Sequence, residues 1–330
     1  MPELRQDPFT HDWVIFSRER GRRPDEYERR APASVLPERS EYCPFCPGNE
    51  HMTPGEVAAY DDGGSWRIRV VPNKFAALRP EGDTVRQGSG FFRQMAGYGR
   101  HEVVIESPAH NRMIPHRSVG EVEDVLRVYR DRYHEFKKDP EVKVVIIFKN
   151  HGKGAGTSLL HPHSQMVAAP VVPPYIRRKF EVATMHFDNM GRCLYCDVLE
   201  EELRDGRRIV LKDEHLVALH PYASHYAYET WIMPTRHRSS FGDIAEAEIS
   251  ALAVMLKTVL TKLYRGLGNP DYNLVVHTSP VDDEHKSYYS WHIQIVPRLS
   301  QMAGFELGSG ININSSLPEE TAEFMRRVPA

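Results

Sequence analysis

The sequence Asn150-His-Gly-Lys-Gly-Ala-Gly-Thr-Ser-Leu-Leu-His-Pro-His-Ser-Gln165 follows an apolar run, residues 142–148, that is typical of a buried β-strand. It contains three glycines and two hydroxyl side chains, and then His161 and His163, which are separated by one proline. Because side chains two residues apart in a strand point to the same face, we expect these histidines and Gln165 to lie on one side of a sheet. Glycines let the backbone approach a ligand, and successive N–H groups can bind an anion. The stretch therefore predicts a phosphate-binding loop that delivers an anion to an imidazole.

The composition of the 330-residue chain is typical of a globular protein, with 41% hydrophobic and 26% charged residues. The chain has no run of about 18 apolar residues, and its N-terminus lacks the apolar core of a signal peptide. We therefore predict a cytoplasmic protein without a membrane span. A formal net charge of −3 argues against a general nucleic-acid binder. Arginines concentrate in residues 18–30, which form either a solvated basic loop or a contact with phosphates.

The four cysteines form two Cys-x-x-Cys pairs, Cys43 with Cys46 and Cys193 with Cys196. In a cytosolic protein this spacing indicates metal binding or redox chemistry more often than a structural disulfide. The first pair lies in a turn rich in proline and glycine, which favours a zinc knuckle over a thioredoxin-like site. We predict zinc at the first pair and a second zinc at the other.

The second half of the chain repeats the features of the first half in the same order. Each half contains a Cys-x-x-Cys pair, strands, an amphipathic helix, and a further strand followed by a segment that ends in His-x-Gln. The helices are predicted at residues 118–138, with Ser118 and Glu121 as a capping box, and at residues 244–267. We predict a duplicated strand–strand–helix–strand unit in an α+β fold, with domains at residues 1–175 and 176–330.

The duplication aligns particular segments of the two halves. Ser290-Trp-His292-Ile-Gln294 corresponds to His161-Pro-His163-Ser-Gln165, and Glu229–His237 corresponds to Glu102–His110. The glycine-rich loop has no counterpart before Ser290. We therefore predict that the first half keeps a phosphate site that the second half has lost.

Two metal sites follow from this alignment. The first is a closed tetrahedral zinc site of a structural kind, with the ligands Cys43, Cys46, His110 and His161. The second contains Cys193, Cys196 and His237. Its fourth position falls on Ser290, and serine is a poor zinc ligand. Either His292 or His285 supplies the fourth ligand, or the second site is degenerate.

With His161 assigned to zinc, His163 is free for chemistry. An imidazole can attack phosphorus and form a phosphoramidate, provided that a carbonyl holds its other nitrogen. Gln165 is placed to donate a hydrogen bond to a phosphate oxygen. The alternative is a core histidine that orders its neighbour, and the hydroxyls of Thr157 and Ser158 and the glycines argue against it. The loop is not a Walker motif, because no Gly-Lys-Ser/Thr opens a helix.

These residues resemble the galactose-1-phosphate uridylyltransferase family and its nucleotide-sugar phosphorylase-like relatives in the histidine-triad superfamily. The resemblance extends from about residue 5 to residue 325. It is carried by these segments: Asp7–Trp13, Cys43-x-x-Cys46, Glu106–His110, Asn150, Gly156–Ser158 and His161–Gln165. It implies duplicated histidine-triad-like domains, each a mostly antiparallel sheet with packed helices, and a homodimer.

The resemblance also implies a reaction. The family uses a ping-pong mechanism, in which His163 would take UMP from a UDP-hexose and pass it to a hexose 1-phosphate. Two alternatives stay open: a phosphorylase of ADP-glucose or another nucleotide sugar, and a nucleotide hydrolase of the histidine-triad type. Ser164 in place of the family's glycine, the second Cys-x-x-Cys and the Gly304-Phe305-Glu306 segment are more similar to the phosphorylases. A zinc-stabilised binding module is disfavoured by the intact stretch from Asn150 to Gln165.

Carried over by position, the resemblance assigns roles to individual residues. Catalysis is assigned to His163, Gln165 and His161. Substrate contacts are assigned to Arg20, Arg23, Asn73, Phe75, Asn150, Gly156, Thr157, Ser158, Phe305 and Glu306. The expected partners are a nucleotide sugar and a sugar 1-phosphate. Thr157 stands where the family has a cysteine.

Overall fold

The computed structural model describes residues 1–18, 36–61 and 63–330. The strands in chain order are β1 (Glu3–Gln6), β2 (Trp13–Phe16), β3 (Ala58–Asp61), β4 (Trp66–Pro72), β5 (Gln87–Ser89), β6 (Phe92–Gln94), β7 (Arg100–Ile105), β8 (Val144–His151), β9 (His163–Ala169), β10 (Ile209–Lys212), β11 (Leu216–Leu219), β12 (Thr230–Pro234), β13 (Tyr272–His277), β14 (His292–Pro297) and β15 (Asn312–Asn314). The α-helices are α1 (Val119–Lys137), α2 (Pro174–Met190), α3 (Leu194–Asp205), α4 (Glu246–Gly266), α5 (Gly304–Ser309) and α6 (Pro318–Arg327).

A ten-stranded sheet forms the centre of the protein, with the order β10-β11-β12-β14-β13-β8-β9-β7-β4-β3. All of its neighbouring strands are antiparallel. Its first five strands come from the second half of the chain and its last five from the first half, in mirrored order. The halves meet where β8 pairs with β13, with Phe148 opposite Val275. The predicted α+β class and the duplication are confirmed, whereas the division into two domains stays a prediction.

The register of the sheet corrects one detail of the sequence alignment. Val103 lies opposite Gln165 in the first half, and Trp231 lies opposite Gln294 in the second. Two residues before these positions are His101 and Glu229. The counterpart of Glu229 is therefore His101 and not Glu102, because pairing with the neighbouring strand, rather than the Glu-to-His spacing, sets the register.

Helices α1 and α4 cover one face of this sheet. Helix α1 begins after Ser118, whose side chain accepts from the Glu121 backbone N–H while the Glu121 carboxylate accepts in return, as the predicted capping box requires. The buried sides of both helices contribute to one hydrophobic cluster, which also contains alternate residues from the strands of both halves. Burying this continuous apolar surface holds the two halves against each other.

The opposite face is divided between the two halves of the chain. The first half covers it with the turn that contains Cys43, Phe45 and Cys46, which packs on Val71 and Val103. The second half covers it with α2 and α3, together with Phe9 from the N-terminus. Each strand therefore presents one set of side chains to the helical core and the alternate set to this second face.

Two segments differ from what the sequence suggested. Strand β8 runs on to His151, beyond the predicted end at residue 148, because β13 pairs with it as far as Tyr272. The many glycine and polar residues at 80–99 favour a loop, but this segment contains the β5–β6 hairpin. A small separate sheet joins β1, β2 and β15 and so connects both ends of the chain. Among the described helices, none combines the length and the hydrophobicity needed to cross a membrane.

Candidate active site and metal centre

Five of the residues predicted to contact substrate or to take part in catalysis line one cleft of ≈ 450 Å³: Asn73, Phe75, Ser158, His163 and Gln165. Its walls also include apolar side chains of the first half, namely Phe45, Met52, Val71, Val103 and Leu159. A mostly apolar cleft of this size with a few convergent polar groups is typical of a small-molecule site. Phe75 is 84% exposed, so its ring is available at the surface of the cleft.

His163 is the first residue of β9 and is 8% exposed. Its Nδ1 lies 2.8 Å from the backbone oxygen of His161, and a carbonyl oxygen can only accept. The proton is therefore on Nδ1, and Nε2 keeps its lone pair. Burial lowers the pKa of His163, which favours the neutral ring. The rings of Phe45 and His163 pack edge to face, with 5.3 Å between centroids.

The first predicted metal centre comes together as expected. The Nδ1 atom of His161 lies 3.7 Å from Cys43 Sγ and 3.6 Å from Cys46 Sγ, and His110 Nδ1 lies 3.5 Å from Cys46 Sγ. A tetrahedron with ordinary Zn–S and Zn–N bonds has S···N edges of about 3.6 Å. These four buried residues therefore fit a zinc ion without rearrangement.

The Ser107 carbonyl fixes the orientation of His161 in this cluster. His161 Nε2–H donates to that oxygen at 2.7 Å, so Nδ1 faces the sulfur atoms. Burial lowers the pKa of His161 to about 4, which keeps the ring neutral and able to bind a metal. A carbonyl partner on the second ring nitrogen is the usual support of a metal-bound histidine.

The second predicted centre is only partly assembled. Cys193, Cys196 and His237 lie together among the described residues. The Ser290 hydroxyl instead donates to the Arg238 carbonyl at 3.2 Å. His292 is not brought to this group: it is fully buried between Trp231, at 4.2 Å, and His277, at 4.7 Å between ring centroids.

The glycine loop is held partly by an internal carboxylate. The Gly154 N–H donates to Asp271 Oδ2 at 2.7 Å, and a Cβ added to Gly152, whose φ is +82°, would lie 1.8 Å from Asp271 Oδ1. Asp271 of the second half therefore already occupies the Gly154 amide, so an anion bound by this loop would have to use its other backbone groups. The loop is shaped to fit this carboxylate, which sequence spacing does not reveal.

Several predicted substrate residues are engaged away from the cleft. Asn150 Oδ1 accepts from Asn273 at 2.8 Å, and the Thr157 hydroxyl donates to the Leu159 carbonyl at 2.9 Å. Gly156 adopts a left-handed conformation with φ of +88° at the end of the loop. Glu306 lines a different cleft, together with His225 and Asn312, and the adjacent Phe305 is 48% exposed. Arg20 and Arg23 lie outside the described residues.

A buried charged cluster lies beneath His163 on the helical side of the sheet. Lys149 Nζ contacts both carboxylate oxygens of Glu106, at 2.8 and 2.9 Å, and donates to the backbone oxygen of His163 at 3.2 Å. Arg117 lies 3.3 Å from Glu106, and Ser164 donates to the same carboxylate. Although burial opposes ionisation, the charges of Lys149 and Arg117 lower the pKa of Glu106 to about 2.

The sequence did not predict this cluster, and it assigned no role to Phe45 or His101, which lie on the cleft face of the sheet. Lys149 and Glu106 are distant in the chain, and only the pairing of β7, β8 and β9 brings them together. Phe45 was visible inside the first Cys-x-x-Cys but had no assigned role. His101 alternates with Val103 on β7, and this period-two pattern could have placed it on the same face of the sheet as Val103, although only the β7–β9 register places it near Gln165.

Comparison with known proteins follows the same division of the chain. Residues 1–173 match the model of the galactose-1-phosphate uridyl transferase N-terminal domain, and residues 175–326 match that of its C-terminal domain. The chain is 36% identical to ADP-glucose phosphorylase of Arabidopsis thaliana, over 99% of this chain and 93% of the relative. It is 31% identical to galactose-1-phosphate uridylyltransferase of Thermotoga maritima, over 99% and 98%. A crystal structure of the Arabidopsis thaliana phosphorylase with bound ADP-glucose superimposes with a TM-score of 0.85, at 32% identity over 100% of both chains.

Replacing Lys149 tests the energetic role of the buried cluster. We expect Lys149→Met to lower the free energy of unfolding by about 3 kcal/mol or more, because Glu106 would lose a fully buried partner. Chemical denaturation monitored by circular dichroism measures the change. The matched control is Lys138→Met, which removes the exposed pair with Glu135 and should leave stability nearly unchanged. Equal effects of the two substitutions would contradict the prediction.

Proposed function

Because the chain belongs to the galactose-1-phosphate uridyl transferase family, we propose that it is a nucleotidyltransferase that acts on a nucleotide sugar through a covalent bond to His163. The observation that carries this proposal is the state of His163, whose Nδ1–H is fixed by a carbonyl while Nε2 keeps its lone pair beside a nucleotide-sized cleft. Such an imidazole is a nucleophile that needs no separate base.

The proposed reaction has two steps. Nε2 attacks the phosphorus next to the nucleoside, a P–N bond forms, and the P–O bond to the departing sugar 1-phosphate breaks. In the second step an oxygen of the acceptor attacks the same phosphorus, and the bond to His163 breaks. Because the donor product leaves before the acceptor reacts, the kinetics are ping-pong. Only neutral His163 is a nucleophile, so the first step slows as pH falls through its pKa, which burial lowers.

The cleft supports this assignment through its apolar walls and its few polar groups. Phe45 and Phe75 offer ring faces or edges to a base, since aromatic side chains stack on nucleobases. Ser158 and Gln165 lie in the same cleft as His163, where they would donate to the phosphate oxygens. We assign Arg20 and Arg23 to the same phosphates, because the transferring group is anionic and cations stabilise its charge.

We propose that zinc occupies the cluster of Cys43, Cys46, His110 and His161, and that a second zinc is held by Cys193, Cys196 and His237. Zinc at the first cluster would supply a structural crosslink between the cysteine turn and the start of β9. His161 then serves twice, because its ring binds the metal while its carbonyl orients His163. The second site would need a fourth ligand from solvent or from a histidine such as His285.

The substrate pair is proposed from the relatives. Phosphorolysis of ADP-glucose, with phosphate as the acceptor, is favoured by 36% identity and by the 0.85 TM-score to the Arabidopsis thaliana protein of that name. UMP transfer between a UDP-hexose and a hexose 1-phosphate is the second candidate, supported by the 31% identical uridylyltransferase. Both use the same nucleophile, and a sugar 1-phosphate is a product or a substrate of each.

We propose a homodimer because Glu306, which the family resemblance assigns to a substrate contact, does not line the cleft of His163. Glu306 lines a different cleft from the one that His163 lines, and its carboxylate accepts from the Ala303 N–H at the start of α5. A second copy of the chain would allow this segment to complete the site. Symmetric pairs are the commonest arrangement of soluble oligomers.

Incubation with radiolabelled substrate tests the covalent step. We expect ADP-glucose labelled in the phosphate next to adenosine to label the wild-type protein, and His163→Asn to abolish the label, because asparagine offers no lone pair for a P–N bond. His215→Asn, which alters a histidine outside the cleft, is the control and should label normally. A parallel incubation uses UDP-glucose as the donor. With each donor, separate samples receive phosphate, galactose 1-phosphate or no acceptor. Label in His163→Asn, or steady release of nucleotide to water alone, would overturn the transferase mechanism.

Removing zinc tests the metal sites. We expect two zinc ions per chain by elemental analysis, with one lost in Cys46→Ser and the other in Cys196→Ser. Cys46→Ser should lower the thermal midpoint by more than about 5 °C and abolish labelling, because it frees the loop that carries His163. Cys196→Ser should label normally. Undiminished labelling of a zinc-free protein would contradict the proposed support of His163.

Mixing inactive variants tests the homodimer. If the partner copy supplies Glu306, unfolding and refolding His163→Asn together with Glu306→Gln should restore about a quarter of wild-type turnover, since half of the dimers would be mixed and each would hold one intact site. A mixture of His163→Asn and Gln165→Ala is the control, because both changes damage the same copy's site. No recovery in the first mixture would mean that Glu306 acts in the active site of its own chain or takes no part in any active site.

A further inference from the structure

The amide of Gln165 is held by hydrogen bonds that determine which of its ends faces the cleft. The argument starts from two backbone N–H groups, which can only donate. Ala77 N–H donates to His101 Nδ1 at 3.1 Å, and Phe75 N–H donates to Asn73 Oδ1 at 2.8 Å. These bonds fix the tautomer of the histidine and the orientation of the asparagine.

The remaining donors converge on one oxygen. Since His101 Nδ1 accepts, the neutral ring carries its proton on Nε2, which donates to Gln165 Oε1 at 2.7 Å. Asn73 Nδ2 donates to the same oxygen at 3.1 Å. With Oε1 occupied by two donors, the NH₂ end of Gln165 is left for the cleft that His163 lines. Burial lowers the pKa of His101 and so supports the neutral form.

The second half shows the opposite arrangement at the equivalent glutamine. A carboxylate, Glu229, stands where the first half has His101, and Gln294 Nε2 donates to it at 2.7 Å. Glu229 is held in turn by the Trp231 indole N–H at 2.9 Å and the His225 backbone N–H at 2.8 Å. The oxygen of Gln294 lies 2.8 Å from His277 Nε2. The donor end of this glutamine is therefore consumed inside the protein.

We propose that His101 is a positioning residue that turns the donor end of Gln165 toward the transferring phosphate. The residue at this strand position, a histidine in one half and a glutamate in the other, then determines whether the neighbouring glutamine can serve an anion. An amide turned the other way would present its oxygen to the phosphate and repel it. This inference rests on the proposed function, since it assumes that a phosphate binds beside His163.

The experiment copies the second half into the first. Four zinc-loaded variants are compared with wild type: His101→Glu, His101→Gln, Gln165→Ala and the double variant His101→Glu/Gln165→Ala. His101→Gln is the matched control, because its side-chain amide can accept from Ala77 and donate to Gln165. Calorimetry measures binding of AMP and UMP and, as phosphate-free probes of the same cleft, adenosine and uridine.

We expect His101→Glu to weaken monophosphate binding by about 10- to 100-fold while nucleoside binding changes less than about twofold. His101→Gln should stay within about fivefold of wild type. In the Gln165→Ala background, His101→Glu should add less than about threefold, because the residue through which it acts is gone. Double-mutant coupling of this size separates positioning from an independent effect.

Two results would overturn the inference. One is an equal loss of nucleoside and monophosphate binding in His101→Glu, which indicates general damage to the cleft. The other is the same loss with and without Gln165, which means that His101 acts by another route. The binding measurements need no turnover. They therefore decide the role of His101 even if the wild-type protein binds AMP or UMP but forms no covalent adduct, which would overturn the proposed transfer.

Discussion

The hydrogen bond from His163 Nδ1–H to the His161 carbonyl is the constraint on which the rest of the site depends. It spans only two residues, yet it joins the ring of the proposed nucleophile to His161 of the cysteine–histidine cluster. Because a carbonyl holds the ring of His161 and the carbonyl of the same residue directs His163, a displacement of the cysteine cluster would also displace the proposed nucleophile. Lys149 reinforces this arrangement from beneath by binding the His163 carbonyl. His163 is thus held through its backbone and its ring together.

The two duplicated halves share one arrangement of strands and helices. They differ mainly in the side chains around His163 and its counterpart His292. The strands that carry His163 and His292 occupy mirrored places in the sheet. In the first half the surroundings of the histidine open into a cleft, whereas in the second half Trp231 and His277 cover both faces of the ring. The second half contributes instead by support, since Asp271 holds the glycine loop. The proposed division into one site and one supporting half accounts for why the halves are alike in topology but not in side chains.

Much of the fold was predictable because periodicity and repetition are local properties of the sequence. The capping box at Ser118, the paired helices and the grouping of the four Cys and His residues of the first cluster all followed from spacing and alignment. Contacts between side chains far apart in the chain were not predictable in this way. The Lys149–Glu106 pair and the Asp271–Gly154 bond depend on strand order. The one-residue error at Glu229 has the same origin, because a register is set by the neighbouring strand and not by intervals along the chain.

The pairing of β8 with β13 has a consequence for how such a chain can be altered. These strands are interior to the sheet only because each covers the other's backbone groups. A break between the halves would convert both into long, apolar edges with rows of unsatisfied N–H and C=O groups, which promote association with other strands. The chain therefore cannot readily be divided between β8 and β13. The pairing of β8 with β13, which joins the duplicated halves, is therefore a contact that the protein cannot lose without exposing two apolar strand edges.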